Sequence, residues 1–158
     1  MAKIWSGITA GALAGSAGVG AQNAFTYLDQ AARGEAPVSS PTGPDVAATA
    51  AAVAHVDPVR AAALGPLGGL GVGVAVGAVA GAVRGNAKTP PASLAAIVLA
   101  VVAMAVNHGV AFAAGTARDD ANKPLTLLRE FLPHLVYGAT TSTTLHRLLD
   151  PHTSTVER

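Results

Sequence analysis

The sequence predicts an all-α integral membrane protein of four transmembrane helices, with a glycine zipper packing the first two together. Three observations carry this. Residues 4–28, 61–83, 89–117 and 131–146 contain no Asp, Glu, Lys or Arg, so all 10 basic and 9 acidic residues of the 158-residue chain fall outside these windows. A spanning helix needs about 20 mostly apolar residues. Glycine recurs at every fourth position over much of the second window. Finally, the chain is 51% hydrophobic but only 12% charged, against about 25% charged for an average soluble domain.

Composition also excludes whole classes. The formal net charge is +1 and no basic or acidic run exists, which removes nucleic-acid binding and acidic-tail readings. Three Phe, two Tyr and one Trp are too few for base-stacking platforms. The absence of cysteine removes disulfides, thiolate chemistry and Cys-based metal or iron–sulfur sites.

The first span is expected over about 5–28. Lys3 precedes it, Asp29 follows it, and Trp5 and Tyr27 mark its two ends, where aromatic side chains favour the bilayer interfaces. Trp5 is read as an interfacial anchor. Val19-Gly20-Ala21 would also suit signal-peptide cleavage. The would-be apolar region is broken by Gly7, Gly11 and Gly15 and led by a single lysine, so the spanning reading is preferred. Residues 29–60 form a polar connection punctuated by Pro37, Pro41 and Pro44. Within it, Val46, Ala50 and Val53 make a modest apolar stripe on a short helix near 45–56, suited to lying on the interface. Asp57 and Pro58 read as an N-cap and a first helical proline.

The second span, about 64–84, holds Gly65, Gly69, Gly73, Gly77, Gly81 and Gly85 in one four-residue register. In water each interior glycine costs about 1 kcal/mol against alanine. In lipid small residues let two backbones approach, and packing replaces the hydrophobic effect that is absent there. Gly7, Gly11 and Gly15 repeat the pattern on the first span. The ridge therefore packs either on the first helix or on its copy in an oligomer. A four-residue step drifts by about 40° on a 3.6-residue helix, which favours a right-handed crossing.

Pro90-Pro91 closes a short loop before the third span, about 93–117, whose apolar run is interrupted by Asn107, His108 and Gly109. The fourth, about 129–148, is short in its apolar part and unusually polar. Four spans make one membrane domain over 1–158 with both termini on one side. Basic residues divide evenly, Lys3, Arg84, Lys88, Arg147 and Arg158 with the termini and Arg33, Arg60, Arg118, Lys123 and Arg129 with the long loops. The acids lie mostly on the loop side but weigh little in this rule. The expectation is a multi-pass protein of the inner or plasma membrane with cytoplasmic termini.

No P-loop, Gly-x-Ser-x-Gly, His-Glu-x-x-His or paired intramembrane carboxylates occur. Gly71-Val72-Gly73 lacks the strand and acidic partner of a dinucleotide site. No enzyme, metal or cofactor is expected. What remains is polar residues within the spans: Asn23, Tyr27, Asn107, His108, His134, Tyr137, Thr141 and Thr144. At about 1.5 Å per residue, Tyr27, Asn23, His134 and Tyr137 share a layer near the loop side. His108, measured from Arg118, falls roughly 15 Å deep, level with Thr140 and Thr141. His134, Tyr137, Thr141 and Thr144 share one face. They line either a funnel for protons or solutes or interhelical hydrogen-bonding glue, worth about 0.6 kcal/mol per bond. His55, His146 and His152 are expected in solvent.

With Gly7, Gly11 and Gly15 opening the chain, then Asn23-Ala24-Phe25-Thr26-Tyr27-Leu28-Asp29 and Pro133-His134-Leu135-Val136-Tyr137-Gly138, it resembles the small Ala/Gly-rich polytopic inner-membrane proteins of high-GC Gram-positive, actinobacterial bacteria. The likeness implies no activity and no residue roles. The expected function is a structural, scaffolding or accessory subunit. It would self-associate, or pack with a membrane-protein partner, through its glycine-rich helices in the lipid bilayer. The alternative is a small channel or transporter using the funnel of His108, His134, Tyr137 and Thr141.

Overall fold

In a computed structural model describing residues 2–35, 57–85, 90–113 and 124–149, the chain forms four helices and, among the described residues, no strand. These are α1 (Ala2–Arg33), α2 (Pro58–Arg84), α3 (Ala92–Ala113) and α4 (Pro124–Leu149). The expected interfacial helix near 45–56, the 114–117 end of the third expected span, and His55 and His152 lie outside the described residues.

Local chemistry sets the helix ends. α1 stops where Gly34 takes a φ of 67°. The Gly34 N–H donates to the Ala31 carbonyl and the Glu35 N–H to the Gln30 carbonyl, the paired bonds of a Schellman cap. Arg33 in the last turn suits the negative end of the helix dipole and lies 2.6 Å from Asp29. α2 begins at Pro58, directly after Asp57, and runs through Pro66 without a break. α3 follows Pro91, whose carbonyl accepts the Ala95 N–H, and it continues through Asn107, His108 and Gly109.

Two of the four helices are long and apolar enough to cross a membrane, over Pro66–Arg84 (mean hydropathy 1.8) and Ala92–Val110 (mean hydropathy 2.0). Glycines, Ser6, Thr9, Ser16, Gln22 and Asn23 dilute the apolar character of α1. The run from Thr140 to Thr144, with Arg129 and Glu130, dilutes that of α4.

Consecutive helices do not all pair. α1 packs on α2 and on α4, α4 packs on α3, and of the neighbouring pairs α2 and α3 touch least. The order around the bundle is α2, α1, α4, α3, with a gap at the α2–α3 seam. On the α1–α2 seam Gly7 meets Gly81, Gly11 meets Gly77 and Gly15 meets Gly73. The helices therefore run antiparallel, and these glycines meet within one chain. A Cβ on Gly77 would sit 2.7 Å from the Gly15 Cα, and one on Gly81 would sit 2.8 Å from the Gly11 Cα. Only a hydrogen fits there. Gly85 ends the row against the Lys3 carbonyl, Gly69 is buried further along, and Gly65 lies in the second turn of α2. The α3–α4 seam is closed by Gly138 against Ala96 and Ala100 and by the Ser142 hydroxyl, which donates to the Ala92 carbonyl at 2.9 Å.

The interior is small and partly polar, and the exterior is aliphatic. The largest fully buried side chains are Tyr137, Thr141 and Ser142, with Val19, Leu99 and Leu145 also buried, while Leu13, Leu67, Val79, Val98, Val101 and Phe112 are exposed.

Candidate functional site

The polar residues converge where all four helices meet, around Tyr137. Its ring packs with Val19 of α1 and Ala103 of α3, with Val76 of α2 against them. Gly18 is the notch that admits the ring, since a Cβ there would lie 2.8 Å from the Tyr137 Cδ2. The phenol hydroxyl crosses the bundle and donates to the Gly73 carbonyl of α2 at 2.7 Å. The same glycine that lets α1 approach α2 thus also offers its carbonyl to α4.

Beside Tyr137 lies a cavity of about 20 Å³, bordered by Gln22, Asn107, His134 and the glycines Gly69 and Gly73. That volume holds a single water. The His134 Nδ1–H donates to the Glu130 carbonyl one turn back at 2.6 Å; the proton is assigned from the acceptor, which is a carbonyl. Toward the α1 C-terminal end of the bundle, the His108 Nε2 lies 2.8 Å from the Glu130 carboxylate, with both side chains about a third exposed.

Of the residues expected on sequence grounds, Asn107, His134 and Tyr137 come together at this cavity. Thr141 is fully buried one turn further along α4, against Gly18, and Thr144 is half-buried beyond it. Asn23 is half-buried, and its Oδ1 accepts no hydrogen bond among the described residues. Tyr27 is exposed on the outside of α1 and does not join the layer. His108 sits at the level of Glu130 rather than of Thr141. His146 is not simply solvated; it is half-buried and accepts a hydrogen bond from the Arg84 Nη2 through its Nδ1.

Sequence reasoning missed Gln22, Glu130, Gly18, Gly138 and Ser142. A signal existed for the first and third, because Gly11, Gly15, Gly18 and Gln22 follow helical spacing on one face of α1. Among the described residues, no three His, Asp or Glu side chains gather as a metal site.

The fold and site together define an all-α four-helix chain with a buried polar layer at its centre. Compared with protein-family models, curated proteins and solved structures, the chain matches none.

Proposed function

We propose that this is a small polytopic membrane protein of structural or accessory type, its body held by a glycine zipper between α1 and α2, which packs with membrane partners through its outer helix faces. One observation carries the reading: glycine, alanine, tyrosine and hydroxyl side chains make up much of the interior, with Val19, Leu99 and Leu145 beside them, while most of the large aliphatic side chains and Phe112 lie outside. Glycine-lined close approach is the packing that works where no hydrophobic effect drives helices together. The exposed hydroxyls agree with it. Ser6, Thr9, Ser16 and Thr143 each donate to a carbonyl three or four residues back, the way such residues satisfy themselves on a lipid-facing surface.

The glycine contacts between α1 and α2 support a ridge spent inside each chain, so assembly with partners or with copies would use other surfaces. The second reading, a conduction path, draws on the convergence of Gln22, Asn107, His134 and Tyr137 on one cavity. At one water in volume, that cavity favours hydrogen-bonding glue over a passage.

The test uses the absence of cysteine. Single-cysteine variants at Lys3, Arg33 and Arg147 are labelled with a membrane-impermeant maleimide in intact cells and in inverted vesicles. Four spans require Lys3 and Arg147 to label from one side and Arg33 from the other. Labelling of all three from the same side, or extraction of the chain by alkaline carbonate, refutes the membrane bundle.

A further inference from the structure

The α2–α3 seam is the one place where neighbours in the bundle stand apart. Between them runs a groove of about 630 Å³, walled by Val72, Val76, Val79 and Val83 of α2 and by Val98 and Val102 of α3. Its floor is α4, through Ser142 and Leu145. The Ser142 hydroxyl is already committed to the Ala92 carbonyl, so the floor is effectively apolar as well. Arg84 stands at one end of the groove.

The shape of the groove decides between occupants. From Val72 to Arg84 is twelve residues, about 18 Å of helix, close to the roughly 15 Å of one leaflet of a 30 Å hydrocarbon core. The slot is half open along its length, and its walls are aliphatic throughout. An extended hydrocarbon chain fits.

Charge fixes the headgroup. The groove reaches, at Arg84 and Pro90, the end of the bundle that carries Lys3, Arg84 and Arg147, because α1 begins and α2, α4 end there. The acidic side chains among the described residues, Asp29, Glu35, Asp57 and Glu130, all belong to the opposite end. An apolar slot one leaflet long with a cationic mouth matches a lipid with a negative phosphate head. We propose that the α2–α3 groove binds one acyl chain of an anionic glycerophospholipid whose phosphate sits at Arg84. This site rests on the membrane reading above and gives that reading a lipid ligand.

The experiment is native mass spectrometry of the full chain, purified in detergent after equilibration with equal amounts of phosphatidylglycerol and phosphatidylcholine. The parent protein should retain one phosphatidylglycerol in preference to phosphatidylcholine by at least fivefold. Arg84→Gln should lower that preference by roughly fivefold, the worth of one basic side chain at an anionic surface. Val79→Phe, which fills the groove, should abolish retention of both lipids, and Leu13→Phe, on exposed α1, should leave it unchanged. Circular dichroism confirms that each variant is folded, and the parent's own preference needs no variant at all. Equal retention of the two lipids by the parent, no retained lipid, or retention unchanged in Val79→Phe overturns the site. A parent dimer converted to monomer by Val79→Phe would give the groove to a second copy and also overturns it. A chain that retains no lipid but still resists carbonate extraction loses only this proposal; one that is extracted loses the membrane reading first.

Discussion

Replacing Gly77 by alanine sets two effects of opposite sign against each other. Alanine is the better helix former by about 1 kcal/mol, so on propensity alone Gly77→Ala stabilises α2. The α1–α2 seam opposes it. The new methyl would sit 2.7 Å from the Gly15 Cα and 2.9 Å from the Gly15 N, and closer still to the Gly11 carbonyl oxygen. Ordinary contact starts near 3.4 Å, so the helices must part by at least 0.7 Å, and every obstructing atom is backbone that no rotamer change can move. A gap of 0.5–1 Å forfeits a quarter to a half of each contact's dispersion energy, and overpacking of this kind costs about 1–3 kcal/mol. The net expectation is a loss of about 1–2 kcal/mol. Gly71, on the same helix with nothing within 4 Å of its Cβ position, supplies the control, and Gly71→Ala should be neutral or stabilising. Denaturation in mixed micelles, followed by circular dichroism, measures both. A second substitution at Gly11 should add less than the first, because the helices are already apart. If Gly77→Ala is as stable as Gly71→Ala, the seam is not as close as described and the zipper reasoning fails.

Three further outcomes follow from named contacts. Tyr137→Phe removes the hydroxyl bonded to the Gly73 carbonyl but leaves that carbonyl its own helical partner, so the loss should be about 0.6 kcal/mol and no more than about 1.7; the same denaturation assay reads it. Gly18→Val puts a branched side chain where the Tyr137 ring and Thr141 now lie, and should cost about 1–3 kcal/mol together with a change in Tyr137 fluorescence. Proton flux into sealed liposomes containing the parent should not exceed that of empty ones; flux that disappears in His134→Ala would replace the glue reading with a conduction path.

The four helices and the glycine register were legible because both are periodic and local. Charge-free windows bound the helices, and Gly7, Gly11 and Gly15 announce a close partner whoever it is. That the partner is α2 of the same chain, in the antiparallel pairing of Gly7 with Gly81, depends on which connection folds back, and residues 29–57 do not encode it in any pattern of spacing. The polar layer was half legible for a related reason. Depth counted at a fixed rise puts Tyr27 and Asn23 level with His134 and Tyr137, yet Tyr27 lies on the outside and neither it nor Asn23 borders the cavity beside Tyr137. The same count puts His108 level with Thr141, whereas the Glu130 carboxylate holds that histidine at its own level. Ser142 looked like one more hydroxyl in a polar run. Only the approach of α3, permitted by Gly138, gives it the Ala92 carbonyl to bond.

The solvent that this bundle is built for can be tested at one position. Val101 is half exposed, at 51%, in the middle of the most apolar stretch, Ala92–Val110. Among neighbours that are themselves exposed, such as Val98 and Val102, aspartate at this site breaks no internal contact. In water a substitution of that kind changes stability by no more than about 0.5 kcal/mol. At the centre of a spanning helix, aspartate costs about 2.5–3.5 kcal/mol of insertion free energy, a shift of roughly 70- to 370-fold in the insertion equilibrium. Measuring the membrane-integrated fraction of Val101→Asp against Val101→Ala separates the two solvents without assuming which helices span. Equal fractions would mean that α3 does not cross the bilayer, and the aliphatic exterior would then have to be explained by a covering protein rather than by lipid.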